Sequence, residues 1–159
     1  MKRLAVAFSG PSNSGKTTLI LKVAKKFIED GLKVVIIKHD PSDKARFDVK
    51  GKDSYKFSQI GADVVVASPT KTTYFCKKNK NLGEIITMLG EFDILIVEGL
   101  KTLPLPRISV FRDEIDERYL SVSNAVATNG LNFDGNLKHF DVNDYLGVCG
   151  WILKNAKKV

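Results

Sequence analysis

Residues 4–18, LAVAFSGPSNSGKTT, decide the fold of this chain. The apolar run at residues 4–8 predicts a strand, and a turn rich in glycine and serine follows it. Residues 10–17 match the P-loop spacing GxxxxGK[ST] at every fixed position. Apolar residues then recur at helical spacing over residues 18–28, and Gly31 stands where a helix-ending glycine belongs. A strand before and a helix after are the context that a P-loop requires.

The residue types of this turn explain how it would bind phosphate. Glycines let consecutive backbone N–H groups point inward, and the helix that follows adds unpaired N–H groups and the positive end of its dipole. Lys16 would reach the β- and γ-phosphates, and the Thr17 hydroxyl would coordinate Mg²⁺. A plain surface turn with a solvated lysine is the alternative, which the context disfavours. The predicted nucleotide contacts here are Gly10, Ser12, Asn13, Ser14, Gly15, Lys16, Thr17 and Thr18.

Length and composition predict one globular domain, residues 1–159, with 43% hydrophobic and 27% charged residues. The sequence has no apolar run long enough to span a bilayer and no signal-peptide h-region, so we expect a cytoplasmic protein without membrane contact. Cys76 and Cys149 stand far apart and predict free thiols. The net charge of +7 fits a phosphorylated ligand or an acidic protein partner. Nucleic-acid binding is disfavoured because the sequence has no motif of interleaved basic and aromatic residues.

A second buried strand supplies a partner for the P-loop. Residues 94–97, ILIV, are apolar throughout and are followed by Glu98. A carboxylate at this place in P-loop proteins binds Mg²⁺ or its waters, so Glu98 is a metal-binding and catalytic candidate together with Lys16. Asp40 follows the predicted strand 33–37 and is a further candidate for Mg²⁺ or for orienting a water. A turn-forming Asp before a proline is the equal alternative.

The polar segment 38–58 starts at the same sheet edge as the P-loop, where ligands bind in open α/β sheets. We therefore favour a switch or substrate loop over a merely solvated one. The Asn-Lys-x-Asp motif that many GTPases use to select guanine is absent. Asn129, after a late strand, is a candidate base contact, and a simple turn is the alternative. The residues themselves do not indicate whether the site would bind GTP or ATP.

The remaining patterns complete a three-layer α/β/α domain of the P-loop NTPase type, with a mostly parallel sheet and a β-hairpin extension. We expect the hairpin to make the sheet mixed, Asn81 to cap a helix, and Asn143 to cap the last helix. A short helix is expected from about residue 54 to Gly61. The predicted hairpin strands are 63–67 and 72–76, and the predicted later strands are 108–111, 119–122, 125–127 and 138–140.

Seven stretches in this order resemble the molybdopterin-guanine dinucleotide biosynthesis adaptor (MobB) family. They are GPSNSGKTTL (10–19), IKHD (37–40), GKDSYKFSQIGA (51–62), VVASP (65–69), LIVEGLK (95–101), VFRD (110–113) and AVATNG (125–130). The resemblance implies a GTP-binding protein, at most a slow GTPase, that assists a guanylyltransferase in attaching GMP to molybdopterin. It also implies a homodimer, with the hairpin region 63–76 extending the sheet between subunits.

The same resemblance adds site residues by motif match. Many relatives carry extra histidines after the Lys-His pair, where this chain departs from the family pattern with DPSD at 40–43, so an anion-binding or metal-binding role of those histidines does not carry over to this chain by the resemblance. The implied cofactors are GTP and Mg²⁺. The added candidate ligand residues are Lys38, His39, Lys52, Asp53 and Ser54, and Glu98 and Lys101 align with the family's VEG(F/L)K segment.

Two other functions fit the same P-loop. A small-molecule kinase on this fold would carry a lid with arginines that close over the phosphates, and arginines are few here. A non-catalytic adaptor that uses bound nucleotide to fix a binding surface would differ from the first hypothesis only in turnover.

Overall fold

The structure, a computed structural model, describes residues 2–159. The chain divides into two compact units, one running to His39 and resuming over Leu89–Val159, the other comprising Asp40–Met88. The expectation of a single domain stays a prediction. The strands are β1 (Leu4–Ser9), β2 (Val34–Lys38), β3 (Val64–Ala67), β4 (Thr72–Phe75), β5 (Ile94–Glu98), β6 (Arg107–Phe111), β7 (Ala125–Thr128), β8 (Lys138–Asp141) and β9 (Lys157–Lys158). The helices are α1 (Lys16–Glu29), α2 (Asp53–Gln59), α3 (Leu82–Met88), α4 (Glu117–Leu120) and α5 (Tyr145–Asn155).

The first unit is built on a sheet with β1 near its centre. The strand order is β2-β5-β1-β6-β7-β8, and every neighbouring pair on this path is parallel. Short β9 pairs antiparallel with the start of β1. The carboxyl ends of β5, β1 and β6 therefore lie side by side at one edge of the sheet. The predicted mostly parallel α/β fold is confirmed.

Helices α1 and α5 cover one face of this sheet. The helical stripe of α1 is buried, and it shares one apolar core with the inner residues of α5, among them Cys149. Cys76 and Cys149 are free thiols, as predicted. Burial raises the pKa of the Cys149 thiol to about 11, so this cysteine stays protonated at neutral pH.

The second unit contains α2, the β3–β4 hairpin and α3. The hairpin register pairs Val64 with Phe75. The Asp63 carboxylate accepts hydrogen bonds from the Lys77 N–H at 2.8 Å and the Tyr74 hydroxyl at 2.9 Å. These bonds lower the pKa of Asp63 and close the open end of the hairpin. The predicted cap of α3 is confirmed: Asn81 Oδ1 accepts from the Glu84 N–H, and the Glu84 carboxylate accepts from the Asn81 N–H.

Three expectations about secondary structure are wrong. The hairpin does not make the main sheet mixed, because β3 and β4 form a separate two-stranded sheet. Residues 119–122 do not form a strand, because the Asp116 carboxylate accepts the Arg118 N–H and starts the short helix α4. The last helix is capped by Asp144, which accepts the Gly147 N–H at 2.9 Å, and not by Asn143.

Candidate functional site

The P-loop joins β1 to α1 and contains three left-handed residues. The φ angle is +137° at Gly10, +61° at Asn13 and +89° at Gly15. A Cβ atom at Gly10 would overlap the carbonyl oxygen of Val110 in β6, so close approach as well as conformation requires glycine there. The loop and the first turn of α1 line a cavity of about 300 Å³. Its lining residues are Asn13, Ser14, Gly15, Lys16, Thr17, Thr18 and Arg112.

Lys16 and Glu98 meet at the side of the P-loop that faces β5. Lys16 Nζ lies 3.7 Å from Glu98 Oε1, and each side chain is 14% exposed. The same ammonium lies 3.5 Å from the carbonyl oxygens of Gly10 and Pro11. The parallel register of β1 and β5, which places Phe8 beside Glu98, brings the two side chains together. The structure thus joins the two halves of the predicted phosphate and metal site.

A buried arginine fixes the segment that follows Glu98. The Arg107 guanidinium, only 1% exposed, donates hydrogen bonds to Ser9 Oγ at 2.6 Å, the Gly99 carbonyl at 2.9 Å and the Leu100 carbonyl at 2.7 Å. Burial lowers the pKa of Arg107. Leu100 has a φ of +48°, a strained conformation for a branched side chain, and its carbonyl is held by this arginine.

A second cavity, of about 350 Å³, lies on the β5 side of Lys16. It brings His39 and Lys101, both predicted ligand residues, to the same space as Lys16. The Lys101 ammonium rests 3.4 Å from the centre of the Tyr119 ring, a cation–π contact that keeps the charge at the cavity wall. The remaining lining residues are Ser9, Gly10, Gly99, Leu100 and Thr102.

Four predicted site residues belong to the second unit, where they make local contacts. Asp40 accepts hydrogen bonds from the N–H groups of Ser42 and Ala45, as a turn-forming aspartate does. Ser54 donates to the Asp48 carboxylate at 2.8 Å. Asp53, in the first turn of α2, pairs with Lys56 at 3.2 Å, and Lys52 is the N-cap residue of that helix.

The other predicted residues lie at the ends of strands in the first unit. Lys38 ends β2 with an exposed side chain, in register with Glu98. Asn129 is exposed in the turn after β7, which lies one strand further from β1 than β6 does. The hydroxyl of Thr128, beside it, contacts His139 Nε2 and donates to the Leu131 carbonyl.

Sequence reasoning gave no role to two arginines that the structure places at the P-loop. Arg107 begins β6 and holds the Gly99–Leu100 segment, whereas Arg112 follows β6 and lines the P-loop cavity. The stretch VFRD at residues 110–113 was the signal available for Arg112, because it ends a buried strand at the edge where ligands bind. The sequence around Arg107 does not indicate its role, since that role depends on tertiary contacts with the Gly99 and Leu100 carbonyls.

The arrangement is chemically suited to a metal-bound polyphosphate. Inward N–H groups, the α1 N-terminus and Lys16 supply positive potential, whereas the Thr17 hydroxyl and the Glu98 carboxylate are oxygen donors of the kind that Mg²⁺ prefers. The buried Ser14 hydroxyl, in a residue 4% exposed, has no hydrogen-bond partner among residues 2–159.

Among residues 2–159, none of the helices has the length and apolar character that a membrane span requires.

Comparison with known sequences shows a protein family that this chain resembles. The family model described as "Molybdopterin guanine dinucleotide synthesis protein B" matches residues 5–129. The "Putative molybdopterin-guanine dinucleotide biosynthesis adapter protein" of Methanocaldococcus jannaschii is 30% identical over 131 residues, which are 79% of this chain and 54% of that protein. The chain therefore spans about half the length of that relative. The adapter protein of Haemophilus influenzae is 30% identical over 136 residues, 78% of this chain and 74% of its own length.

Solved structures give the same result for the fold. The "Crystal Structure of molybdopterin-guanine biosynthesis protein B (mobB)" superposes with a TM-score of 0.78 at 28% identity, covering 95% of this chain and 99% of that one. Bacillus subtilis MobB superposes with a TM-score of 0.78 at 24% identity, covering 98% and 99%.

Proposed function

This chain belongs to the molybdopterin guanine dinucleotide synthesis protein B (MobB) family, and from that membership we propose that it binds Mg²⁺–GTP and assists the guanylation of molybdopterin. It does so as an adaptor to the guanylyltransferase that transfers GMP. Its own hydrolysis of GTP is slow at most.

The observation that carries the proposal is the P-loop cavity with Lys16 beside Glu98. Lys16 would exchange its 3.7 Å contact with Glu98 for the terminal phosphates, and Glu98 would then be free to hold Mg²⁺ or one of its waters. The Thr17 hydroxyl would complete the protein's share of the coordination. Bound Mg²⁺ would neutralise phosphate charge.

The cavity on the β5 side of Lys16 supports a second, anionic ligand. His39 and Lys101 line it beside Lys16, and most of the surface that its lining residues expose to the cavity is apolar. A phosphate monoester with a flat organic body, such as molybdopterin, suits this combination. The same position beside the terminal phosphates also favours the rival hypothesis, a small-molecule kinase, because a phosphoryl acceptor would sit there.

The hairpin of the second unit supports the proposal of a homodimer. It is a separate two-stranded sheet with Val65 61% exposed and Tyr74 43% exposed. Unpaired strand edges with apolar side chains are templates for pairing with another chain. Sedimentation of the wild type against Val65→Glu tests it: a dimer that becomes a monomer is expected, and a monomeric wild type contradicts it.

The test of the proposed function is calorimetric titration of GTP with Mg²⁺ into wild type and Lys16→Ala. We expect Lys16→Ala to weaken binding roughly a hundredfold, since charge-assisted contacts to the phosphates are lost. Lys22→Ala is the matched control, because Lys22 lies on the same helix and contacts Asn143 instead. Full affinity in Lys16→Ala contradicts the site. Phosphoryl transfer to a small acceptor, without stimulation of the guanylyltransferase, would favour the kinase.

A further inference from the structure

The direction of a bound nucleotide follows from the two strands that flank β1. β5 lies on one side of β1 and β6 on the other. The lysine of a P-loop contacts the β- and γ-phosphates, and Lys16 leans toward Glu98 at the end of β5. A nucleotide bound with its terminal phosphates on the β5 side would extend its nucleoside toward the β6 side, beside the loop 112–114.

A groove already exists on that side. It has a volume of about 200 Å³ and shares Asn13, Ser14 and Arg112 with the phosphate cavity. Ser14 lines both cavities, and its buried hydroxyl has no hydrogen-bond partner among residues 2–159. Buried hydroxyls are normally bonded, so its unmet capacity marks a place for ligand or water. The groove's other lining residues are Pro11, Ser12, Asp113 and Glu114.

The groove carries one basic and two acidic side chains. Arg112, Asp113 and Glu114 are all exposed. None of their side chains forms a hydrogen bond or an ion pair with residues 2–159, whereas Asp116, shortly after them, is bonded to Arg118. Two carboxylates next to a phosphate-binding loop would repel a polyphosphate. They are understandable if they face a part of the ligand that donates hydrogen bonds.

We propose that the Asp113–Glu114 pair recognises the guanine base of the nucleotide and gives the site its preference for GTP over ATP. This inference rests on the proposed function, because it assigns the base of the nucleotide that the P-loop would hold. Guanine presents two N–H donors side by side, on N1 and on the exocyclic amino group, and a carboxylate accepts both. Adenine presents an acceptor at N1, which a carboxylate repels, so discrimination has an attractive and a repulsive part.

Asn129, the base contact predicted from the sequence, does not line this groove. Asn129 is exposed in the turn after β7. It is not among the residues that line the groove or the phosphate cavity. We expect Asn129→Ala to leave the preference for GTP unchanged.

The test measures the ratio of the dissociation constants of ATP and GTP, each with Mg²⁺, by calorimetry. The wild type is expected to prefer GTP by roughly tenfold to a hundredfold, the effect of a charge-assisted hydrogen bond. Asp113→Asn with Glu114→Gln should bring the ratio close to one, and the single variants identify the acid that contacts the base. Glu117→Gln is the matched control, because it removes an exposed acid of α4 that does not line the groove.

Xanthosine triphosphate supplies a readout that a structural role would not move. Xanthine has a carbonyl where guanine has the amino group, so an amide side chain suits it better than a carboxylate does. The variant at the contacting acid should therefore gain affinity for xanthosine triphosphate while it loses affinity for GTP.

The two proposals fail in different ways. A double variant with the wild-type ratio overturns the assignment of the base. So does a wild type that binds GTP and ATP equally, although loss of binding in Lys16→Ala would then still support the P-loop site. A wild type that binds neither nucleotide overturns both.

Discussion

The two loops that flank the P-loop differ in how the fold treats their charges. On the β5 side, the segment after Glu98 is held by the buried Arg107 of β6, which donates to Ser9, Gly99 and Leu100, and Leu100 is in a strained conformation. On the β6 side, the charged side chains of the loop 112–114 are exposed and unbonded within residues 2–159.

This difference suggests separate roles for the two sides of the P-loop: one side is ordered by the fold, and the other keeps charges that are available to a ligand. The part of a site that binds phosphates must be pre-organised, because ordering charged side chains during binding would reduce the affinity. The β5 side is ordered by folding itself, at the expense of burying a guanidinium. The β6 side keeps its charges solvated, so they remain free to select a ligand. Substitution of the buried Arg107 should therefore change stability, and substitutions in the exposed loop 112–114 should change binding.

The largest effect is expected from Arg107→Met. Methionine fills a similar volume but leaves the Ser9 hydroxyl and the Gly99 and Leu100 carbonyls without their donor. Unpaired buried polar groups should lower the free energy of unfolding by about 3–5 kcal/mol, as measured by urea denaturation. A loss below about 1 kcal/mol would mean that water replaces the guanidinium and that the clamp is not structural.

Gly10→Ala should have the next largest effect, because Gly10 lies against the backbone of Val110 in β6. The added methyl group would overlap the Val110 carbonyl and would hold φ in a region unfavourable to alanine. We expect a loss of about 2–4 kcal/mol in unfolding free energy. Gly31→Ala is the control: its φ is +80°, but nothing lies within 4 Å of the new atom, so only the backbone cost of about 1 kcal/mol remains. Equal losses would contradict the close approach.

Arg112→Ala should separate binding from stability. The exposed guanidinium lines the P-loop cavity and has no hydrogen-bond or ion-pair partner within residues 2–159. Its loss should change the unfolding free energy by less than about 0.5 kcal/mol. It should weaken nucleotide binding roughly tenfold, because a cation beside the phosphates is removed. Denaturation and calorimetry on the same preparation measure both. A destabilised variant with unchanged affinity would reverse the comparison.

Local patterns made much of the fold predictable. The P-loop spacing, the apolar strand before it and the stripe of α1 are contiguous in sequence, and the structure has β1 and α1 where they were expected. The capping box of Asn81 and Glu84 is equally local. Once β1 and β5 pair in parallel, their register places Glu98 beside Lys16, so the predicted strands were enough to predict this contact.

The remainder depended on contacts that a linear pattern does not contain. The strand expected at residues 119–122 failed because one side chain, Asp116, captures an N–H group and starts a helix. Short β9 is visible only through its pairing with β1. Nothing in the sequence distinguishes Arg107 from a solvent-exposed arginine. It donates to Ser9, Gly99 and Leu100 only because β6 pairs with β1.

The smallest expected effect concerns Asp116, which anchors α4 just beyond the β6-side loop. Hydrogen bonds from the Arg118 guanidinium, followed by that from the Arg118 N–H, lower the pKa of Asp116. Because the folded pKa lies below the unfolded one, this carboxylate contributes stability above about pH 4, and the contribution is lost as the pH falls through the folded value.

Asp116→Asn should therefore be slightly less stable than the wild type at pH 7, and the gap should close in acid. Urea denaturation at pH 7, 5 and 3 measures it, with Glu117→Gln as the control that has no such bonds. A gap that stays constant with pH would mean that the amide loses only cap geometry and that the charge of Asp116 is irrelevant. In either case GTP selectivity should not change, because Asp116 is committed to the helix while Asp113 and Glu114 are left to the ligand.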